Sequence, residues 1–187
     1  MPFSGFGPQA VPFFKALAFH QTKDWFEANR AIYEDEIKGP LGDLVEDLAA
    51  RFAKAKMPLK GDRKASLFRI YRDVRFAKDK SPYKTNAGAV LTRTGTKNDP
   101  GLLYFHVAAD GCFVAAGFWQ PEPEALARLR AAIVRAPKAW KTMVAKLVGP
   151  ADEPDLLLMS VRLPTVQADL APAILRAAEA TLPDASQ

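Results

Sequence analysis

Nine residues of one short stretch carry the chemistry this chain advertises. Arg69, Arg72 and Arg75 recur every third position, Lys80 and Lys84 follow, and Tyr71, Asp73, Asp79 and Tyr83 lie among them. Guanidinium forks beside ammonium groups are the side chains that hold phosphate or carboxylate oxygens. The tyrosines would orient or stack on a ligand, and Asp73 or Asp79 would orient the arginines or take a proton. The same residues also suit three blander tasks. They could form a solvated strand edge, an ion-pair network, or a surface for an acidic protein or nucleic acid.

The basicity is local. From Arg63 to Lys84 eight bases stand against two acids, a local charge of +6 within a chain whose net charge is +5. The remaining residues are therefore close to neutral, and the charge marks a patch rather than a basic coat.

Other chemistry finds little support. His20 and His106 are far apart and Cys112 is the lone cysteine. The sequence offers no metal-ligand spacing, no phosphate-binding glycine loop and no nucleophile elbow, so neither metal nor cofactor is expected. One cysteine excludes an intrachain disulfide and suits a cytoplasmic location. No apolar run reaches the roughly 18 residues of a membrane span, and the N-terminus reads as no targeting segment. Cys112 among Val114 and Ala116 reads as inert core, and His106 as a structural histidine.

The elements that must carry the stretch are read from periodicity. Val11, Phe14, Leu17 and Ala18 are helically spaced. Thr22 caps a second helix holding Trp25, Phe26, Ala28 and Ile32, which Gly39-Pro40 is expected to stop. Leu41, Leu44, Leu48 and Phe52 stripe a third. The period then changes to two. "SLFRIYRDV", "YKTNAGAVLT", "LLYFHVAA" and "CFVAAGFW" read as four antiparallel strands in meander order, with Asp110-Gly111 turning the last pair. Alternation puts Phe68, Ile70, Arg72 and Val74 on one face of the first strand. Arg72 then needs a partner, and Glu27, Glu34 and Asp35 are candidates.

Leu126, Leu129 and Ile133 stripe a later helix with early glutamates and late arginines. A further helix runs from Pro137 towards the Gly149-Pro150 break. The expectation is one α+β domain over 1–187: helices in 9–56, sheet in 65–119, helices in 121–149 packed on the sheet, and a divergent tail in 150–187.

Three motifs, in this order, resemble one family. "KDWFEANRAIYEDEIKGPL", "FRIYRDVRFAKDKSPYKTNAGAV" and "YFHVAADGCFVAAGFWQPEPEALARLRAAI" are similar to domain of unknown function 2461, a conserved hypothetical protein family, over most of residues 14–133. The resemblance implies no activity. It makes Trp25, Phe26, Asn29, Phe76 and Pro82, together with the nine residues above, motif positions, which is more than a solubilising edge needs. The family's last part carries a basic segment with glycine and histidine. Here "VRLPTVQADLAPAILRAAEATLPDASQ" echoes it only at Arg162 and Pro164, so a site completed there is altered. The reading that follows is a cytoplasmic protein that binds or acts on an anionic small molecule. An interaction module and a structural ion-pair network stand as alternatives.

Overall fold

A computed structural model describes residues 3–75, 78–99, 101–119, 121–145 and 158–163, with backbone alone for 143–145 and 158–163. Phe76, the helix end past Ala145, the Gly149-Pro150 break and Pro164 lie outside the described residues.

Helix α1 (Ala10–Phe19) buries Ala10, Phe13, Phe14 and Leu17. Its core stripe is thus turned from the expected one: Val11 is half-buried and Ala18 exposed. In α2 (Lys23–Ala28) the Thr22 side chain accepts the Trp25 N–H, as its position at the cap demands. Phe26 is fully buried, at 0% exposure.

Gly39-Pro40 does not stop the chain. Helix α3 (Arg30–Tyr33) widens into a π-helical turn, Glu34–Lys38, and runs on into α4 (Gly39–Lys54) with the proline in its first turn. Proline has no N–H to offer the carbonyl four residues back, which is that of Glu36. The N–H of Gly7 fills that role at 3.1 Å. A side chain at Gly7 would strike Glu36, its Cβ falling 2.5 Å from the carboxylate, so only glycine allows the approach. Phe3 and Phe6 are drawn into the core by the same contact. Along α4 the stripe Leu41, Leu44, Leu48 and Phe52 is buried as its spacing requires.

The short helix α5 (Arg63–Ser66) is capped by Asp62, whose carboxylate accepts the N–H groups of Lys64 and Ala65. Arg63 ties it to α4 through Asp43 and Glu46.

Strands β1 (Asn86–Thr92), β2 (Gly101–Ala108) and β3 (Gly111–Phe118) form an antiparallel meander. Ala109 and Asp110 make the tight turn between β2 and β3. A further strand, β4 (Leu158–Leu163), pairs antiparallel with β3 and closes the sheet in the order β1-β2-β3-β4. One sheet face packs on the helices through Ala87, Ala89, Leu91, Leu103, Phe105, Val107, Cys112 and Val114. Each large apolar side chain so buried contributes about 1.5–3 kcal/mol. Helices α6 (Pro123–Arg135) and α7 (Pro137–Ala145) follow β3. The stripe of Leu126, Leu129 and Ile133 is half-buried, and α6 has no fully buried residue.

Between Leu67 and Trp119 there are three strands, not four. In "SLFRIYRDV" Ser66 ends α5, and the residues after it make only two isolated bridges, Leu67 to Ala89 and Tyr71 to Tyr83. Four residue steps separate these bridges on one side and six on the other, so no regular ladder can join them. Pro82 has no N–H to give, and the Tyr83 N–H goes to Gln21 Oε1 at 3.1 Å. Alternation itself survives without the ladder. Phe68, Ile70, Arg72 and Val74 are buried or half-buried, while Arg69, Tyr71, Asp73 and Arg75 are exposed.

Candidate functional site

The basic stretch is pinned to the helices by its rings. Tyr83 is buried and stacks on Phe26 with centroids 4.4 Å apart, and Tyr71 tilts against both rings. Arg30 donates to the Tyr71 hydroxyl at 3.3 Å while paired with Glu27 at 2.6 Å. Ile70 is buried beside them. Three backbone bonds complete the attachment: Phe68 N–H to Gly88 O, Arg72 N–H to Pro82 O, and Lys84 N–H to Ile70 O, all at 2.8–2.9 Å.

The stretch then divides. One part is internally satisfied. Arg75 grips Asp73 with two parallel bonds of 2.7 and 3.0 Å, which hold the Asp73 carboxyl down at about 2. Lys80 donates to the Val74 carbonyl at 2.9 Å. Asp79 accepts from Ser81 and pairs with Arg72, and these contacts, Ser81 first, lower its proton affinity. Asp79 is therefore the partner Arg72 requires. Of the candidates on the helices, Glu27 pairs with Arg30 and Glu34 with Lys38.

The other part is not neutralised. Lys84 is half-buried with its ammonium 5.7 Å from the Phe68 ring centroid, and Lys97 approaches the same ring at 5.6 Å. Burial, and then Arg69, Arg72 and Lys97, push the Lys84 amine below its ordinary value. Among the described residues, Arg69, Lys84 and Lys97 make no ion pair with a carboxylate. Four cations thus share a neighbourhood in which Asp79 serves Arg72, while Asp73, which Arg69 also feels electrostatically, is gripped by Arg75. Each neighbouring like charge disfavours the protonated state of Lys84.

Lys97 was invisible in the sequence because it comes from the loop after β1. That loop is held by the Thr92 hydroxyl bonding Thr96 O at 2.9 Å and the Thr94 N–H bonding Asp99 at 3.1 Å.

Next to the cations lies the second face of the sheet, where Val90 and Ala115 are buried beside Tyr104. Tyr104 meets Phe68 edge-on at 6.1 Å, and its hydroxyl reaches over Gly88, 2.8 Å from where a Cβ would stand. The hydroxyl and the Asn86 amide both lie about 3 Å from His106 Nδ1, at 3.1 and 3.0 Å. An amide nitrogen can only donate, so the Asn86 contact fits a neutral ring that accepts at Nδ1 and carries its proton on Nε2. Burial lowers the affinity of His106 for a second proton, and burial raises that of Tyr104. His106 stacks on Phe113 at 4.5 Å. Its role is a satisfied one, as is that of buried Cys112, whose thiol burial pushes up.

The sequence profile of the conserved hypothetical protein family DUF2461 matches residues 9–156. The chain belongs to that family. The match reaches beyond the three motifs on both sides, takes in residues 150–156 of the expected tail, and leaves residues 157–187, with β4, outside it. No curated protein and no solved structure matches the chain. Among the described residues no helix is long and apolar enough to cross a membrane, and no group of three or more His, Cys, Asp or Glu stands ready for a metal.

Proposed function

We propose that this DUF2461 protein is a cytoplasmic binder of a phosphorylated or otherwise anionic small molecule. Arg69, Lys84 and Lys97 hold the ligand, with Arg72 beside them. One observation carries the reading: Lys84 is half-buried among three further cations, without a carboxylate of its own. A charge so placed is destabilising unless something negative arrives. The lone, buried Cys112 goes with a reducing compartment.

The paired half of the stretch supports a second, structural role. Arg72–Asp79 and Arg75–Asp73 close the turn on itself, and Tyr83 with Ile70 fastens it to the helices. On this view the pairs shape the platform and the unpaired cations use it.

A thermal-shift panel tests the proposal, with phosphate, sulfate, nucleotides, sugar phosphates, polyphosphate and short single-stranded oligonucleotides. A ligand at about a hundred times its dissociation constant adds about 2.7 kcal/mol, or roughly 5–10 °C for a chain of this size. The shift is expected to vanish in Arg69→Ala and Lys97→Met while both stay folded. Absence of any shift from small anions overturns the proposal. If only the oligonucleotides act, and affinity falls by about 0.7 log units per log unit of salt for each phosphate contacted, the face is a nucleic-acid surface instead.

A further inference from the structure

The side chains around a cleft select a ligand by their balance of donors and acceptors. A phosphate only accepts, an ammonium only donates, and a hydroxyl does both. The loop after β1 lines an open cleft of about 500 Å³ with Arg93, Thr94, Thr96, Asn98 and Asp99. That size lies within the roughly 300–1,000 Å³ of small-molecule sites. Among the described residues, the side chains of Arg93 and Asn98 form no hydrogen bond or ion pair. Asp99 accepts the N–H groups of Thr94 and Gly101, at 3.1 and 3.0 Å, one on each oxygen. Each oxygen keeps a further lone pair. The Thr94 and Thr96 hydroxyls lie 3.0 Å apart, so one of their two protons is left over. Arg93, Asn98 and a threonine hydroxyl are thus free to donate, and Asp99 and Asn98 to accept. Among the described residues lining the cleft there is no aromatic or aliphatic side chain.

The cleft and the cations share this loop. Lys97 stands between Thr96 and Asn98, which line the cleft, while its own ammonium lies 5.6 Å from the Phe68 ring centroid that Lys84 approaches at 5.7 Å. Consecutive Cα atoms are about 3.8 Å apart, so a single small molecule reaches both. We propose that the anion held by Arg69, Lys84 and Lys97 is a sugar phosphate or another phosphorylated polyol, with its phosphate on the cations and its hydroxyls in the cleft. The inference rests on the anion-binding reading and deepens it by naming what the anion is attached to. Asp99 repels a second phosphate in the cleft, and its free lone pairs take ligand hydroxyls instead. Arg93 and Asn98 donate to the oxygens of those hydroxyls. A nucleobase finds no ring to stack on among these side chains, and a lipid chain finds no hydrophobic side chain to lie along.

Titration calorimetry on the full chain decides the matter. The probes are glucose 6-phosphate and ribose 5-phosphate, inorganic phosphate, and phenyl phosphate as a phosphomonoester without hydroxyls. The expected result is that at least one sugar phosphate binds about tenfold more tightly than phenyl phosphate and inorganic phosphate, the worth of one or two hydrogen bonds. Thr96 and Asn98 are exposed. Asn98→Ala and Thr96→Val are expected to remove that preference, raising the Kd of the sugar phosphate severalfold while that of inorganic phosphate stays as it was. Lys97→Met weakens all four probes. Sugar phosphates that bind no tighter than phenyl phosphate or inorganic phosphate overturn the inference and leave the anion site in place. A preference that survives both Asn98→Ala and Thr96→Val overturns it too, because the hydroxyls then lie elsewhere. So does an equal loss for inorganic phosphate in these variants, which would make the cleft part of the phosphate site. If none of the four probes binds, both readings fall.

Discussion

The helices and the basic stretch treat charge in opposite ways. On α3, α4 and α5 each arginine meets a carboxylate: Arg30 with Glu27, Arg51 with Asp47, and Arg63 with Asp43 and Glu46. Most of these partners are three or four positions apart or on the adjoining helix, the ordinary economy of a solvated helix surface. In the stretch, pairing stops halfway. Arg75 and Arg72 find Asp73 and Asp79 a few residues away, but Arg69 and Lys84 do not, and the fold adds Lys97 to them. A surface meant only for solubility has no reason to bury one of its lysines and surround it with like charge. The contrast separates charges that serve folding from charges the fold tolerates.

Four changes test that contrast, from the largest expected effect to the smallest. Phe26 is where the two regions meet, since its ring touches Phe13 and Tyr33 on the helices and Tyr71 and Tyr83 on the stretch. Phe26→Ala is expected to cost about 3–5 kcal/mol in denaturant unfolding. It should also weaken anion binding, because Tyr83 loses its support. A cost under about 1 kcal/mol would mean the stretch is not anchored there.

Lys84→Met should leave stability at neutral pH unchanged or improved. The folded-state proton affinity of Lys84 is depressed, so the unfolded chain binds more protons in the window below the ordinary lysine value of about 10.4. Stability therefore climbs through this window as pH rises, and is lost as pH falls through the folded value. Lys84→Met removes that slope. Tyr33, whose burial first of all pushes its hydroxyl up to about 12, acts with the opposite sign above pH 10. It acts equally in both proteins, so the difference between their unfolding curves isolates Lys84. Equal slopes would place the lysine in water.

Asp79→Asn removes the carboxylate that serves Arg72. The expected outcome is tighter phosphate binding with a small loss of stability, read by titration and thermal shift together. Weaker binding would show that Asp79 orients the cations rather than diluting them. Lys38→Ala is the control from the helical side. Its pair with Glu34 at 2.7 Å is exposed, and its loss should cost under about 0.5 kcal/mol and leave anion binding untouched.

Much of the scaffold could be read from residue order, because helix stripes, caps and tight turns are local devices. The α4 stripe, the Thr22 cap and the β2–β3 turn each depend on residues within one or two turns of chain. Gly39-Pro40 misled for a non-local reason: the carbonyl that proline leaves without its usual partner is satisfied by Gly7, far back in the sequence. The first expected strand failed in the same way. Its alternation was real, yet a ladder needs matched residue counts on both sides, and the two bridges have four steps against six.

The sequence by itself determined an α+β chain and where its positive charge concentrates, since composition and periodicity are properties of residue order. It also placed Arg69, Tyr71, Arg72, Asp73, Arg75, Asp79, Lys80, Tyr83 and Lys84 within one stretch. Only the tertiary structure decided which of them remain available. Pairing and burial depend on distances between residues remote in sequence: Tyr83 against Phe26, Tyr71 against Arg30, and Lys84 and Lys97 on the two approaches to Phe68.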